Sequence, residues 1–266
     1  MRIDKKRREM KKLKYITSRF QYISDLHLEM RRKIPNIPVI ANQMILAGDI
    51  GNPFHDSYEE FLTLCSNNYK FTFVVSGNHE YWNDHGIDAT NEKIEEITSK
   101  LGNVYYMNKR KIETENVCIL GCTLWSKLSY IPPETRKVGD DINIFDSKGI
   151  ILGPDGLDML HKKDVRWLTK TLESCKKDTI VISHHLPTYD LLHRKYNNER
   201  NLQYLNRYYT NLEHLIKHPV KVWIGGHSHC SMKINIGNTF LGINAYGYPN
   251  QYEKFYSKHK VTTFHI

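Results

Sequence analysis

Five clusters of potential metal-binding and proton-transferring side chains each follow an apolar run, and this pattern limits the fold more than any other feature. Tyr22-Ile23-Ser24 leads into Asp25-Leu26-His27, and Met44-Ile45-Leu46-Ala47 into Gly48-Asp49. Residues 71–76 lead into Gly77-Asn78-His79-Glu80, 179–183 into His184-His185, and 220–225 into Gly226-His227-Ser228-His229. Short apolar or β-branched runs read as buried strands. In open α/β sheets, ligands gather in the crevice outside the carboxyl ends of the strands. The chain is therefore expected to bring five loops to one sheet edge. Taken singly, an Asp-x-His pair or a Gly-Asn turn is commonplace. The signal lies in having all five in order.

The 266 residues fit one large α/β domain, because the clusters span most of the length. The expected division is a basic leader over 1–17 and a single domain over 18–266. Lys5, Lys6, Arg7, Arg8, Lys11, Lys12 and Lys14 supply much of the excess of 38 Lys+Arg over 29 Asp+Glu. That leader reads as a solvated terminus. It lacks the apolar core of a secretory signal, and no run approaches the length of a membrane span, so no membrane insertion is expected. Five cysteines, an odd number with no paired framework, fit an intracellular protein, and Cys118 and Cys122, on one face of an expected strand and without a second metal-type pair, read as core thiols.

Helical periodicity appears over 57–67, 88–101 and 164–175, and 201–217 reads as a further helix opened by an Asn cap. Residues 104–124 read as strands with a hairpin-like break at Asn108-Lys109-Arg110. Closing strands are expected at 230–236, 239–243 and 260–265. Residues 126–163, rich in Gly and Pro, read as a loop-rich insertion able to lie over the site as a cap.

In order and rough spacing, the five clusters resemble the calcineurin-like metallophosphoesterase superfamily, from Asp25 to His229. The stretch Asn244-Ala245-Tyr246-Gly247-Tyr248-Pro249 is similar to a segment that follows the last motif in some intracellular members. The resemblance implies an α/β fold, a sandwich of two mixed β-sheets flanked by helices, with a cap-like insertion. It also implies two divalent metal ions per chain: manganese, iron, zinc or similar. Asp25, His27 and His229 would hold one ion, Asp49 would bridge both, and Asn78, His184 and His227 would hold the second. His185, adjacent to His184, is the alternative ligand there. His79 would be the proton donor. Relatives often steady that histidine with an acidic residue three positions after the bridging aspartate. Here that position is Asn52, and Glu80 is the candidate to replace it. Asn52, His185 and Tyr189 are candidates for substrate contact, and Tyr81, Trp82 and His55 for stacking on a ring.

The implied activity is hydrolysis of phosphate mono- or diesters, most simply of small molecules, by a metal-bound hydroxide at a dinuclear centre. One alternative is a metal-dependent DNA or RNA nuclease, suggested by the leader and the net charge of +9. A nuclease should show a basic stripe beside the metals and steep salt dependence. The other alternative is a non-catalytic binding module on the same scaffold. The expected location is the cytoplasm, with the nucleus as the alternative that the leader suggests.

Overall fold

The computed structural model describes residues 19–128, 144–193, 196, 202–249 and 262–265, with the backbone alone for 202–204 and 262–265. The basic leader and residues 129–143 of the expected insertion lie outside the described residues. Along the chain run β1 (Arg19–Ile23), β2 (Gln43–Ala47), α1 (Asp56–Asn68), β3 (Phe71–Val75), α2 (Gly86–Leu101) and β4 (Val104–Tyr106). There follow β5 (Arg110–Glu113), β6 (Val117–Gly121), α3 (Gly153–Glu173), β7 (Asp178–Ile182), β8 (Val220–Gly225), β9 (Ser231–Ile236), β10 (Thr239–Asn244) and β11 (Thr262–His265).

Two sheets form. One has the order β11-β1-β2-β3-β4, and the other β5-β6-β7-β8-β10-β9. The first is parallel except for β11, and in the second the outer strands β5 and β9 run antiparallel to a parallel centre. Both sheets are thus mixed, as the family resemblance implies. Their strands carry apolar residues on both faces because both faces are covered. Alternation divides the side chains. Ile45, Phe73 and Val75 meet Ile119, Ile180, Ile182, Val222 and Ile224 between the sheets. Met44, Leu46 and Val74 turn outward onto Tyr58, Phe61, Leu62, Ile94 and Ile97 of α1 and α2. On the opposite side, Leu120, Val181 and Trp223 meet Leu168 and Leu172 of α3. Each fully buried large side chain in these layers contributes roughly 1.5–3 kcal/mol. Cys118 and Cys122 lie on that same outer face, and all five cysteines are buried thiols.

Three local expectations change. The break at 108–110 is a crossing between sheets and not a hairpin: β4 pairs with β3, whereas β5 pairs with β6. Helix α3 starts at Gly153, eleven residues before the periodic signal, so the insertion is partly helical. Its Gly and Pro residues read as a loop, but proline is tolerated in a first helical turn. The early turns bury Leu157, Asp158 and His161, whose carboxylate and ring hold Leu128 N–H and Trp125 O. The region 201–217 is two short 3-10 turns, Leu202–Arg207 and Glu213–Leu215. The backbone between them is drawn into pairing with Leu186 and Pro187, through Leu186 N–H to Tyr208 O and Thr210 N–H to Leu186 O. Tertiary pairing here overrides helix propensity. Among the described residues, no helix is long and apolar enough to cross a membrane.

Candidate metal centre and cleft

All five clusters lie just beyond the carboxyl ends of β1, β2, β3, β7 and β8. The chain turns sharply there. Asp25, His27, Asp49, His227 and His229 all adopt left-handed backbone, and among the described non-glycine residues only Lys109 and Leu124 share it. Such conformations are costly and persist where surrounding structure enforces them, often at functional sites. Gly77 is required by close approach: a Cβ there would collide with Asp49 Oδ1 and lie 2.7 Å from His184 Cε1.

Three donor groups result among the described residues, one of them His27, Glu29 and His79, and the other two share a carboxylate. Asp25, His27, Asp49 and His229 offer one atom each within 4.8 Å of one another, and so do Asp49, His184 and His227. Asp49 belongs to both. In the first group, His27 Nε2 and His229 Nε2 are 3.0 Å apart, and His229 Nε2 is 3.4 Å from Asp25 Oδ1. In the second, His184 Nε2 is 3.3 Å from Asp49 Oδ2 and 3.0 Å from Asn78 Oδ1. Buried imidazoles and carboxylates converging so closely suit a cation of intermediate hardness. The donor set therefore fits divalent metal.

The outer contacts orient these rings. His184 Nδ1–H donates to Ala47 O at 2.9 Å, leaving Nε2 to face Asp49. His27 Nδ1 bonds Glu29 Oε1 at 3.2 Å, and His227 Nε2 lies 3.2 Å from Arg207 O. Metal-ligating histidines characteristically use the second nitrogen in this way. The Asp25 carboxylate accepts from His227 N–H and from the Ser24 hydroxyl. Burial works against ionised Asp49, yet the charges on His184 and His79 hold it well below the usual carboxylate range. Burial likewise opposes a charged His184, and Asp49 overrides it, pushing the ring up to about 10.

His184, not His185, thus faces Asp49 and Asn78. His185 is buried between Trp125 and His227, with its Nδ1 3.4 Å from Thr123 O. Burial and the neighbouring His184 charge push His185 down to about 3. The unfolded ring takes up a proton below its ordinary 6.5, and the folded ring only near 3. This contribution to stability is therefore intact above 6.5 and is lost as the pH falls toward 3. Between about pH 7.5 and about pH 5.5 the linkage costs the metal-free protein about 1.4 kcal/mol. His185→Gln should lose about that much less than wild type over the interval, as measured by urea unfolding with chelator present. Equal losses would contradict a buried neutral His185.

A cleft of about 240 Å³ opens over the centre, lined by Asp49, Asn78, His79, His227, His229 and a rim of Trp82, Tyr196, Arg207, Tyr208 and Tyr248. Of the stacking candidates, Trp82 is at the cleft, stacked on His79 with ring centres 3.6 Å apart. Tyr81 is buried against Trp125, and His55 is exposed at the start of α1. None of Asn52, His185 and Tyr189 is among the described residues lining the cleft. Asn52 Oδ1 instead accepts Phe54 N–H, and Tyr189 packs on Tyr209.

Glu80 acts on His79 through its charge alone and spends its hydrogen bonds elsewhere. It is wholly buried and accepts N–H groups from Asp49, Ile50, Gly51 and Gly77, tying the loop after β2 to the loop after β3. Glu29 meets His79 instead, with Oε1 3.0 Å from Nδ1. Sequence reasoning passed over Glu29, although it continues the alternation Asp25-x-His27-x-Glu29. Arg207 was hidden inside an expected helix.

The model of the calcineurin-like phosphoesterase family matches residues 18–231 of this chain. The chain belongs to that family. This phosphoesterase-family chain is 25% identical over 262 residues to an uncharacterized protein of Acanthamoeba polyphaga mimivirus, covering 88% of this chain and 93% of that one. The fold matches phosphopantetheinyl hydrolase from Mycobacterium tuberculosis with a TM-score of 0.69 at 18% identity, over 93% of this chain and 95% of that chain. It also matches a dimetal phosphatase from Danio rerio with a TM-score of 0.51 at 13% identity, over 85% and 87% of the two chains. At such identities these structures show the calcineurin-like fold.

Proposed function

We propose that the chain is a metal-dependent phosphoesterase that hydrolyses small phosphate mono- or diesters at a dinuclear centre. The sharing of Asp49 between two donor groups carries this reading, because one carboxylate between two sets of nitrogen and oxygen donors suits a pair of ions. Asp25, His27 and His229 would hold one ion with Asp49. Asn78, His184 and His227 would hold the other with the same carboxylate. When bound, such ions neutralise phosphoryl oxygens and make an activated water available at neutral pH.

The chain's own groups supply orientation and the proton. His79 borders the cleft and presents Nε2 beside the Tyr248 hydroxyl, 3.2 Å away. Burial opposes a charged His79, while Asp49 and Glu29 raise its affinity for a proton. A positioned imidazolium can protonate a departing alkoxide. Arg207 adds a guanidinium suited to a phosphate oxygen. It is the one Lys or Arg among the described residues lining the cleft, and a nuclease requires a basic stripe. The modest volume of the cleft suits a small ester. The dimetal phosphatase that shares the fold supports the same chemistry.

The test is hydrolysis of p-nitrophenyl phosphate and bis-p-nitrophenyl phosphate by metal-stripped protein resupplied with manganese, iron, cobalt, nickel or zinc. Turnover that appears only with metal is expected. Turnover that is indifferent to chelator, or binding of two ions with no hydrolysis of either ester, would count against the reading.

A further inference from the structure

Position 52, where relatives often carry an acidic partner for the proton-donating histidine, is Asn here, and its side chain is engaged by Phe54 N–H. The structure supplies a carboxylate from elsewhere. Glu29 lies in the 3-10 turn Leu28–Met30, directly after the Asp25-Leu26-His27 cluster. Its Oε1 is 3.0 Å from His79 Nδ1 and 3.2 Å from His27 Nδ1, so one oxygen accepts from two rings. Its side chain is 16% exposed. A partly dry carboxylate accepting two ring N–H groups makes strong, directional bonds.

The His79 ring is held on its other sides too. Trp82 stacks on one face at 3.6 Å with planes 28° apart, and His27 meets it edge-on at 4.3 Å. With Nδ1 engaged by Glu29, Nε2 is the nitrogen left facing the cleft, beside Tyr248. A carboxylate on one ring nitrogen sets the tautomer and orientation of the other.

We propose that Glu29 is the positioning residue of His79, fixing the ring so that Nε2 addresses the leaving-group oxygen of the ester. The proposal rests on the phosphoesterase reading above. It assigns to the loop after β1 a task that Asn52 cannot perform for want of charge. The shared oxygen also ties His79 to His27, so the proton donor keeps its register with the metal-holding face.

The test uses full-length protein carrying Glu29→Gln, read in three ways. At saturating metal, metal content by mass spectrometry should match wild type, because glutamine keeps an oxygen that can accept from His27 Nδ1. Turnover of p-nitrophenyl phosphate, whose leaving group needs little protonation, should stay within about threefold, whereas phenyl and alkyl phosphates should fall by roughly 10²-fold, at the low end of general-acid contributions. A plot of log kcat against leaving-group pKa should therefore steepen. In the metal-free protein, the ¹⁵N and ¹H signals of the His79 ring should lose the strongly hydrogen-bonded Nδ1–H seen in wild type. An equal fall on all leaving groups, loss of a bound ion, or an unchanged His79 Nδ1–H signal would each overturn the proposal. Loss of an ion would place Glu29 in the metal centre, as a ligand or through its hold on His27, since His27, Glu29 and His79 also lie close enough to hold one. Failure of the parent reading looks different: wild type itself would hydrolyse none of these esters, while the ring signals would still report whether Glu29 holds His79.

Discussion

Asp49→Ala is expected to abolish ion binding at both donor groups and to lower kcat/KM by at least ~10³-fold, about 4 kcal/mol of transition-state stabilisation. Asp49 Oδ2 is 3.3 Å from His184 Nε2 and 3.9 Å from His27 Nε2, one from each group. In the proposed centre, removing it would take a negative ligand from both ions at once. It also takes the counter-charge from His184, whose burial then favours the neutral ring. Alanine is a poor choice for the left-handed backbone at this position, at φ 53°. The substitution further leaves His79 N–H without its acceptor, Asp49 Oδ1 at 2.9 Å. Asp49→Asn separates these effects, because asparagine tolerates the same backbone and keeps a carbonyl for that N–H. It should fold like wild type and still fail to bind manganese at both groups in calorimetry. Retention of one tightly held ion in Asp49→Asn would contradict a shared carboxylate.

Glu80→Ala should cost folding stability as well as function. Four buried N–H groups converge on this carboxylate, at 2.7 Å from Ile50 and Gly77, 3.0 Å from Asp49 and 3.4 Å from Gly51. Each donor left unsatisfied in a dry site costs about 1 kcal/mol or more, about 4 kcal/mol in gross, and relief from burying an acid offsets part of this in the metal-free protein. That gross cost is a large part of the roughly 5–15 kcal/mol that holds a typical domain together. Burial, and then the nearby Asp49 charge, push Glu80 up to about 8 in the metal-free protein. A cation beside Asp49 offsets the second cause and favours the ionised, four-bond clamp. Stability and ion binding should therefore fall together. Chemical denaturation with and without manganese measures this, and a loss under about 1 kcal/mol in manganese-loaded Glu80→Ala would show that the clamp does not hold the two loops.

The sheets and the ligand clusters were legible because their signals are local. Each buried strand is an apolar run, and each cluster follows its own strand, so Asp25, Asp49, Asn78, His184 and His227 could be placed at one edge without a structure. Distinguishing His184 from His185 required three dimensions, since the two differ only in which way each ring leaves the chain. Glu29 and Asn52 show the same limit. Which carboxylate reaches His79 depends on how the loop after β1 curls against the loop after β3, and no spacing rule encodes that. The aromatic and cationic rim was hidden for another reason. Arg207 and Tyr208 come to the cleft because the backbone around them pairs with Leu186, against the helical reading of 201–217. The start of α3 was obscured by glycines and a proline that the first helical turns accept.

Anomalous diffraction from crystals of the manganese-loaded protein tests the two-ion centre most directly. A dinuclear site predicts two peaks ~3.5–4 Å apart on either side of the Asp49 carboxylate. Asp25, His27 and His229 should surround one peak, and Asn78, His184 and His227 the other. A single peak, no peak, or an ion held only by His27, Glu29 and His79 would contradict it.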